Sequence, residues 1–165
     1  MTNEELFLLI NKYLRYYPDT GLFTWRISPN QGILPGSVAG SLTKDGYVEI
    51  RFKRKKYKAH RLAWFVTYKK WPVGHIDHIN GVKKDNRLVN LRDSNYTENQ
   101  ANRGKQLNNT SGYKGVYKHS KSNKWEAKIG VSGRSKYLGL FDTPEEAHEA
   151  YKKAAKNFFG EFAKY

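Results

Sequence analysis

The sequence predicts a mixed α+β fold assembled from small units, and three patterns carry this prediction. Capping residues followed by apolar side chains at helical spacing occur near both ends of the chain. Between them lie short runs in which apolar and polar residues alternate, separated by turns that contain glycine or proline. A stretch with almost no apolar side chains, residues 104–112, predicts a linker between a first part, residues 1–103, and a C-terminal domain, residues 113–165.

The first part is expected to be a small module of helices and short strands. Thr2 and Glu5 have the spacing of a capping box, and the apolar residues after them predict a helix over residues 3–15. Turn residues at 17–21 and 44–46 then separate short strands. The remaining predicted elements are strands at residues 22–26, 47–52 and 57–60, a basic turn at 53–56 and a helix at 60–70.

The C-terminal domain is predicted to be a three-stranded antiparallel sheet with one helix behind it. The strands are expected at residues 114–118, 125–131 and 135–141, and Thr143 with Pro144 marks the start of the helix. Because side chains alternate along a strand, one apolar side of the sheet should pack on this helix. The side chains expected on that side are Val116, Ala127, Ile129, Leu138 and Leu140.

The composition of the 165-residue chain excludes several classes of protein. It contains no cysteine, so disulfides and thiolate zinc sites are excluded. No apolar run approaches the roughly 20 residues that cross a bilayer, and Glu4 and Glu5 stand where a signal peptide would be basic. The formal net charge of +15 indicates a polyanionic partner, and the expected location is a reducing compartment, the cytoplasm.

The positive charge is concentrated in two regions. Residues 1–74 carry 13 basic and 5 acidic side chains, and residues 104–136 carry 8 basic and 1 acidic. The segment between them, residues 75–103, has 5 basic and 4 acidic side chains and is rich in His, Asp and Asn. A nearly neutral polar segment between two basic regions predicts a reactive site flanked by nucleic-acid contacts.

The polar residues of the central segment suit phosphodiester hydrolysis. The segment is predicted to fold as strand, loop, strand and helix. A neutral His78 can take a proton from water near pH 7, and an amide oxygen such as that of Asn90 can fix its tautomer. Asp77 and Asn99 offer hard oxygen ligands of the kind that Mg²⁺ or Mn²⁺ prefers. Asn86 is expected to be a turn residue rather than a ligand.

These residues resemble the catalytic motif of the HNH nucleases, which have a ββα-metal active site, and especially the HNH homing endonucleases of phages and mobile introns. The residues that carry the resemblance are Asp77-His78, Asn86-Arg87-Leu88-Val89-Asn90-Leu91-Arg92 and Glu98-Asn99-Gln100-Ala101-Asn102. The resemblance implies that His78 is the general base, that Asn90 orients it, and that Asp77 and Asn99 bind one divalent metal ion. Since many relatives have a second His where this chain has Asn99, Mg²⁺ or Mn²⁺ is expected rather than zinc.

Residues before the motif resemble a leading module that commonly precedes it in the same family. The matching residues are Tyr17, Thr20-Gly21, Trp25, Gly46-Tyr47 and His60-Arg61-Leu62-Ala63-Trp64. They extend the resemblance to nearly all of residues 13–103. His60 and Arg61 are expected to have a structural or a phosphate-contacting role. Arg103, at the end of this part, is a further expected DNA contact.

The C-terminal domain resembles the AP2 DNA-binding domain over roughly residues 110–163. The matching residues are Ser111-Gly112-Tyr113-Lys114-Gly115-Val116-Tyr117, Lys124-Trp125-Glu126-Ala127-Lys128-Ile129, Tyr137-Leu138-Gly139-Leu140-Phe141 and Thr143-Pro144-Glu145-Glu146-Ala147. The resemblance implies a sheet that enters the major groove of DNA. The expected DNA contacts are Lys114, Tyr117, Trp125, Lys128, Arg134, Lys136 and Tyr137.

This domain departs from its plant relatives on the side expected to face DNA. Tyr117 and Gly130 stand where those relatives have arginine, and most other cations are lysines, which read guanine less rigidly than arginine does. Phosphate anchoring is therefore expected to exceed base reading. For Trp125, burial in the core is an open alternative to DNA contact.

The combined expectation is a metal-dependent endonuclease that hydrolyses phosphodiester bonds of double-stranded DNA. The family resemblance implies a phage-borne homing enzyme in the bacterial cytoplasm, with no membrane and no obligate protein partner. One active site per chain favours a monomer that nicks DNA, whereas a dimer would cut both strands. The alternatives are a non-catalytic DNA-binding regulator on an HNH scaffold and, less favoured, an RNA-binding protein, because the sheet lacks the paired aromatic residues of single-strand RNA readers.

Overall fold

The computed structural model describes residues 1–165, which divide into two compact units, Met1–Asp93 and Ser94–Tyr165. The predicted α+β class is confirmed, with four α-helices and four small sheets. The division between the units falls before the predicted linker at residues 104–112, and the predicted domain boundaries stay a prediction. No helix of the chain has both the length and the apolar content needed to cross a membrane.

The first unit builds one apolar core from two helices and three small sheets. Its elements are α1 (Asn3–Tyr13), β1 (Leu14–Tyr17), β2 (Leu22–Trp25), β3 (Ser41–Leu42), β4 (Val48–Phe52), β5 (Lys55–Lys58), α2 (Ala59–Tyr68), β6 (His75–His78) and most of β7 (Leu91–Ser94). β1 and β2 form a hairpin, β4 lies between β3 and β5, and β6 pairs with β7. The largest fully buried side chains of this core are Ile10, Leu14, Ile50, Leu62 and Phe65.

Helix α1 begins where it was predicted but ends earlier. Thr2 is the N-cap, and Glu5 closes the capping box. The helix stops at Tyr13, because Leu14 is already extended, is buried in the core and pairs with Trp25 in the β1–β2 hairpin. The sequence pattern did not predict strand β1. Strand pairing and burial of Leu14 override the helical spacing of the residues before it.

A two-residue turn joins β4 to β5. Lys53 and Arg54 form it with φ values of 47° and 64°, and Phe52 pairs with Lys55 across the hairpin. Positive φ at both central residues is the geometry of a type I′ turn, whose twist matches that of a hairpin. The predicted basic turn is therefore shorter than expected, β5 starts two residues earlier, and α2 begins at Ala59.

The second unit contains a three-stranded antiparallel sheet backed by a long helix, as predicted. Its elements are α3 (Tyr96–Ala101), β8 (Val116–Lys118), β9 (Trp125–Val131), β10 (Arg134–Phe141), α4 (Pro144–Phe159) and a 3-10 turn (Gly160–Phe162). Strand β9 lies in the middle of the sheet. Thr143 caps α4 and forms a capping box with Glu146, with Pro144 in the first turn. The buried side chains between sheet and helix are Val116, Ala127, Ile129, Ala147, Tyr151 and Ala155.

An irregularity in β10 changes which of its side chains face α4. The register with β9 shifts between Tyr137 and Gly139, so side chains after the shift alternate in the opposite sense. Leu138 and Phe141 pack against the core behind the sheet. Leu140 instead lies on the open side and is 37% exposed, so the prediction that it faces the helix is wrong.

Candidate active site and nucleic-acid interface

Strand β6 carries two of the predicted catalytic residues into the interior of the first unit. Asp77 and His78 are adjacent in this strand, and each is 5% exposed. After His78 the chain turns back, and the amide of Gly81 donates to the His78 carbonyl at 2.7 Å. The Ile79 amide donates to the Asn90 carbonyl at 2.9 Å, which joins the two ends of the loop between β6 and β7. The loop therefore closes directly over the end of β6.

His78 is held in a buried cluster of rings. Its Nε2 atom lies 3.3 Å from Oδ1 of Asn86. Its ring centroid lies 5.1 Å from that of His60, in an edge-to-face arrangement, and 6.0 Å from that of Tyr47. Burial lowers the pKa of His78, and the hydrogen bond with Asn86 is the largest effect that opposes this shift. A lowered pKa keeps the imidazole neutral near pH 7, the form that accepts a proton.

Asn86 contacts His78, and sequence reasoning did not predict this contact. It is 2% exposed, its Nδ2 donates to the Lys84 carbonyl, and its own carbonyl accepts from the Tyr16 hydroxyl at 2.7 Å. Tyr16 is half-buried, and this burial raises the pKa of its hydroxyl. Asn86 was interpreted as a turn residue because its backbone does lie in the loop. Only the fold shows that its side chain returns to His78.

Asn90 plays a different part from the one predicted. Its side chain does not orient His78 directly but binds the loop backbone twice. Oδ1 accepts from the Asn80 amide at 3.0 Å, and Nδ2 donates to the Asp85 carbonyl at 2.8 Å. Asn90 is 6% exposed, so these bonds are protected from water. Asn90 therefore fixes the loop that carries Asn86, and through that loop the position of Asn86 beside His78.

The β1–β2 hairpin supports the same loop from below. Gly21 lies in its turn with φ of +73°, and a Cβ placed there would lie 2.4 Å from the Arg87 nitrogen and 2.5 Å from the Asn86 carbonyl carbon. The Leu88 amide donates to the Pro18 carbonyl at 3.1 Å. The loop backbone thus rests on the hairpin turn at a distance that only glycine permits.

Asp77 is fixed by a buried ion pair. Nε and Nη2 of Arg92, in β7, both donate to its Oδ2 atom, at 2.9 Å and 2.8 Å. The Asp77 side chain is 6% exposed and that of Arg92 is 13% exposed. A buried carboxylate needs such a partner because removing its hydration is costly. The pair sets the orientation of the carboxylate that was predicted to bind metal.

The predicted metal ligands offer oxygen atoms and no sulfur or imidazole. A carboxylate from Asp77 and an amide oxygen from Asn99 fit a hard cation such as Mg²⁺ or Mn²⁺ and do not fit a structural zinc ion. No three or more His, Asp and Glu side chains cluster in a way that could hold a metal ion. An ion with only two protein oxygen ligands would need water or phosphate oxygens to complete its coordination. Asn99 lies in α3, which belongs to the second unit.

Arg61 and Arg103 bond within the protein. Nη1 of Arg61 donates to the Gly74 carbonyl at 3.0 Å and ties α2 to the segment that enters β6. This contact supports the structural alternative for Arg61. Nη1 of Arg103 donates to Oε1 of Gln100 at 2.8 Å on an exposed surface. That surface position leaves the predicted DNA contact of Arg103 as a prediction.

Fewer of the predicted DNA contacts than expected lie on the open side of the C-terminal sheet, the side away from α4. Tyr117 pairs with Glu126, and Tyr137 pairs with Lys128, so these residues share the side away from α4. Tyr117 is 49% exposed and Tyr137 is 60% exposed. The open side therefore presents two tyrosine rings and Lys128, whose Nζ lies 2.8 Å from the Glu126 carboxylate.

Three other predicted contacts of the sheet lie on its α4 side. Lys136 pairs with Ile129, which is buried against α4, and its Nζ lies 4.5 Å from the Phe158 ring centroid. Arg134 has the same alternation as Lys136 and is exposed at the edge of the sheet. Trp125 packs against the apolar cluster behind the sheet, which supports its core alternative. For Arg134 and Lys136 the expected outward orientation is wrong, because the register of β9 and β10 places them on the α4 side of the sheet.

Lys114 is engaged inside the second unit. Its ammonium donates to the Lys164 carbonyl at 3.0 Å and also to the carbonyl of Ala101, the last residue of α3. Nζ lies 5.9 Å from the Tyr151 ring centroid. Burial lowers the pKa of Lys114 to about 8. The ammonium thus binds two carbonyl oxygens of the protein and lies near a ring, and the predicted DNA contact of Lys114 stays a prediction.

Along the chain, two strands, the first ending in Asp77 and His78, are followed by helix α3, which is the element order of a ββα nuclease motif. A three-stranded sheet backed by one helix follows it. In comparisons with known proteins, residues 57–101 match the model of the HNH endonuclease family, and residues 111–161 match that of the AP2 domain. The chain therefore combines an HNH endonuclease domain with an AP2 domain.

Individual relatives agree with this assignment. The chain is 31% identical over 124 residues to an uncharacterized HNH endonuclease, L560, of Acanthamoeba polyphaga mimivirus. This match covers 74% of the present chain and 63% of the viral protein. It is 52% identical over 50 residues to the AP2-like ethylene-responsive transcription factor CRL5 of Oryza sativa subsp. japonica, and 50% identical over 50 residues to the factor ANT of Arabidopsis thaliana. Each plant match covers 29% of this chain but spans less than a tenth of the plant protein, 8% of CRL5 and 9% of ANT.

Proposed function

We propose that this chain is a metal-dependent endonuclease that hydrolyses phosphodiester bonds in double-stranded DNA. The observation that carries the proposal is the pairing of two buried groups at the end of β6. His78 is held by Asn86 in an environment that keeps it neutral, and the adjacent Asp77 carboxylate is fixed by Arg92. A protected base beside an oriented hard-oxygen ligand is what hydrolysis of a phosphodiester requires.

His78 is the proposed general base. An amide oxygen only accepts hydrogen bonds, so contact with Oδ1 of Asn86 places the ring proton on Nε2. Nδ1 then carries the lone pair that takes a proton from the attacking water. The neighbouring rings of His60 and Tyr47 restrict the imidazole to one orientation. Asn86 and Asn90 act as positioning residues, the first on His78 and the second on the loop.

Asp77 and Asn99 are the proposed ligands of one divalent metal ion, Mg²⁺ or Mn²⁺. When bound, the ion would neutralise charge on the phosphate and stabilise the leaving 3′ oxygen. Arg92 orients the Asp77 carboxylate from inside the protein. Hydrolysis with this arrangement is expected to leave a 5′ phosphate and a 3′ hydroxyl.

The AP2 domain is proposed to bind the target duplex through the open side of its sheet. Tyr117 and Tyr137 can contact sugars and thymine methyl groups, and Lys128 can contact phosphate. The two basic regions add affinity that does not depend on sequence. We further propose that a monomer nicks one strand. A homing role and a phage origin, with action in the bacterial cytoplasm, are supported only by the sequence resemblance and by the existence of a viral relative.

The test is cleavage of supercoiled plasmid and of bacterial genomic DNA with Mg²⁺, with Mn²⁺ or with EDTA. The decisive variant is His78→Ala. A matched control is His75→Ala, which removes an exposed histidine from the same strand. The expected result is nicked or linear product that requires metal, is lost with His78→Ala and is retained with His75→Ala.

Three results would contradict the proposed endonuclease function or the proposed role of His78. If neither DNA is cut while both are retained on the protein at low salt, the chain acts as a non-catalytic DNA-binding regulator on these substrates. If His78→Ala cuts as fast as the unchanged protein, His78 is not the base. Binding of single-stranded RNA in preference to duplex DNA would favour the RNA-binding alternative.

A further inference from the structure

Helix α3 carries the proposed metal ligand Asn99 and is too short to be stable by itself. It has six residues, Tyr96–Ala101, whereas isolated helices below about 12 residues are marginal in water. Its N-terminal end is closed by a capping box between Asn95 and Glu98. At its C-terminal end the amides of Asn102 and Arg103 donate to the carbonyls of Glu98 and Gln100, whereas the carbonyl of Ala101 takes its partner from elsewhere in the fold.

Lys114 supplies such a partner from the AP2 domain. Its ammonium donates to the carbonyl of Ala101 in α3 and to the carbonyl of Lys164 near the end of the chain. A charged donor at the C-terminal end of a helix also interacts favourably with the helix dipole. The half-buried position of the side chain strengthens these bonds because water competes less for them.

The backbone around Lys114 is well fixed. The next residue, Gly115, accepts from the Lys128 amide at 2.8 Å in the central strand of the sheet. The Lys114 ammonium lies 5.9 Å from the ring centroid of Tyr151 in α4. Helix α3 itself packs against α4 and the 3-10 turn Gly160–Phe162. Lys114 thus connects α3 to the sheet, to α4 and to the C-terminal segment.

We infer that Lys114 is a positioning residue for the nuclease: it holds helix α3, and with it Asn99, on the AP2 domain. The inference rests on the proposed role of Asn99 in the active site. It makes the AP2 domain a structural part of the nuclease as well as a DNA-binding module. Lys114 therefore has a different role from the lysines of the sheet, because its ammonium binds carbonyl oxygens of the protein.

The experiment compares Lys114→Met with Lys118→Met in the full-length chain. Both variants remove one positive charge and keep most of the side-chain volume, but Lys118 is exposed at the end of β8. The first measurement is amide hydrogen exchange by mass spectrometry on peptides that cover α3 and β9. The second is the single-turnover cleavage rate at saturating protein, together with the DNA Kd at several salt concentrations.

The expected result for Lys114→Met is about 10-fold to 100-fold faster exchange in α3 with unchanged exchange in β9. The cleavage rate of bound DNA should fall by about 10-fold to 100-fold, with Kd and its salt dependence unchanged. Lys114→Arg, which keeps several donors, should retain most of the α3 protection. Lys118→Met should leave exchange in α3 unchanged.

Three results would overturn the inference. Unchanged exchange in α3 would show that the ammonium does not hold the helix. Loss of protection in β9 as well would show that Lys114 supports the whole unit. A weaker Kd with a salt slope reduced by about one, and an unchanged rate for bound DNA, would make Lys114 a phosphate contact. If the unchanged protein cuts no DNA, the proposed function fails, but hydrogen exchange still decides the role of Lys114.

Discussion

Gly21→Ala tests whether the β1–β2 hairpin supports the active-site loop. A Cβ at this position would lie 2.4 Å from the Arg87 nitrogen and 2.5 Å from the Asn86 carbonyl carbon. Ordinary contacts begin at about 3.4 Å, so the loop backbone must move by about 1 Å. Overpacking of this kind costs about 1–3 kcal/mol, and alanine at a φ of +73° costs about 1–2 kcal/mol more.

Gly36→Ala is the matched control. Gly36 has φ of +86°, and a Cβ there would meet no atom within 4 Å. This variant therefore pays the backbone cost of about 1–2 kcal/mol without the collision. Thermal unfolding should give a Tm drop of about 4–16 °C for Gly36→Ala and a clearly larger drop for Gly21→Ala.

Cleavage kinetics complete the test of Gly21. A shift of about 1 Å at Asn86 would displace the contact to His78, and misplacement by that distance typically costs about 100-fold in rate. Single-turnover cleavage should therefore fall about 100-fold for Gly21→Ala at a temperature where it is folded, and little for Gly36→Ala. Equal losses of Tm and of rate in the two variants would refute the reasoning that the loop rests on the hairpin.

Three further predictions concern other parts of the chain. Replacing Lys53 by Asn and Arg54 by Gly should raise the free energy of unfolding by about 1–2 kcal/mol in urea titrations, because Asn-Gly favours the positive φ values of this turn; no gain would contradict this. Burial lowers the pKa of His60 to about 3, so on acidification the unfolded chain binds the proton first and the free energy of unfolding should fall below about pH 6.5. In urea titrations, His60→Phe should lose about 2 kcal/mol less stability than the unchanged protein between pH 7.5 and pH 5. Parallel pH profiles for the two proteins would contradict this prediction. Because Lys128 lies on the open side of the sheet and Lys136 on the α4 side, Lys128→Ala should lower the salt dependence of the DNA Kd by about one counterion, and Lys136→Ala should leave it unchanged. The reverse result would place the DNA on the α4 side.

Much of the fold followed from local patterns because those patterns report local physics. The capping boxes at Thr2 and Thr143 marked helix starts, since a cap needs only residues three positions apart. The alternating runs of the C-terminal domain marked its strands. Strand β1 could not be predicted, because Leu14 is drawn into a strand by its partner Trp25 and by the core.

The irregularity in β10 marks a second limit of sequence reasoning. Simple alternation places Lys136, Leu138 and Leu140 on one side of β10, but pairing with β9 leaves Lys136 on the α4 side and puts Leu140 on the open side. The register depends on the partner strand and on where the extra residue is inserted. Neither is visible in the alternation of a single strand.

In the candidate site too, some residues could be predicted from local sequence and others could not. Asp77 and His78 could be proposed from the sequence because an acid and a base adjacent in a strand are a local signal. The contact between Asn86 and His78 depends on a loop held by Tyr16 and Asn90, and Tyr16 is 70 positions from Asn86 in the sequence. Contacts of that kind follow from tertiary packing alone.

The packing of α3 limits how this chain can be divided or recombined. A fragment that ends within residues 104–112 would contain every residue of the HNH motif but would lack α4 and the Gly160–Phe162 turn, on which α3 packs. Such a fragment would leave the last helix of the motif without its supporting surface. Engineers who wish to give the nuclease a new DNA-reading sheet would therefore do better to alter residues on the open side of the existing one than to exchange the whole domain at the linker.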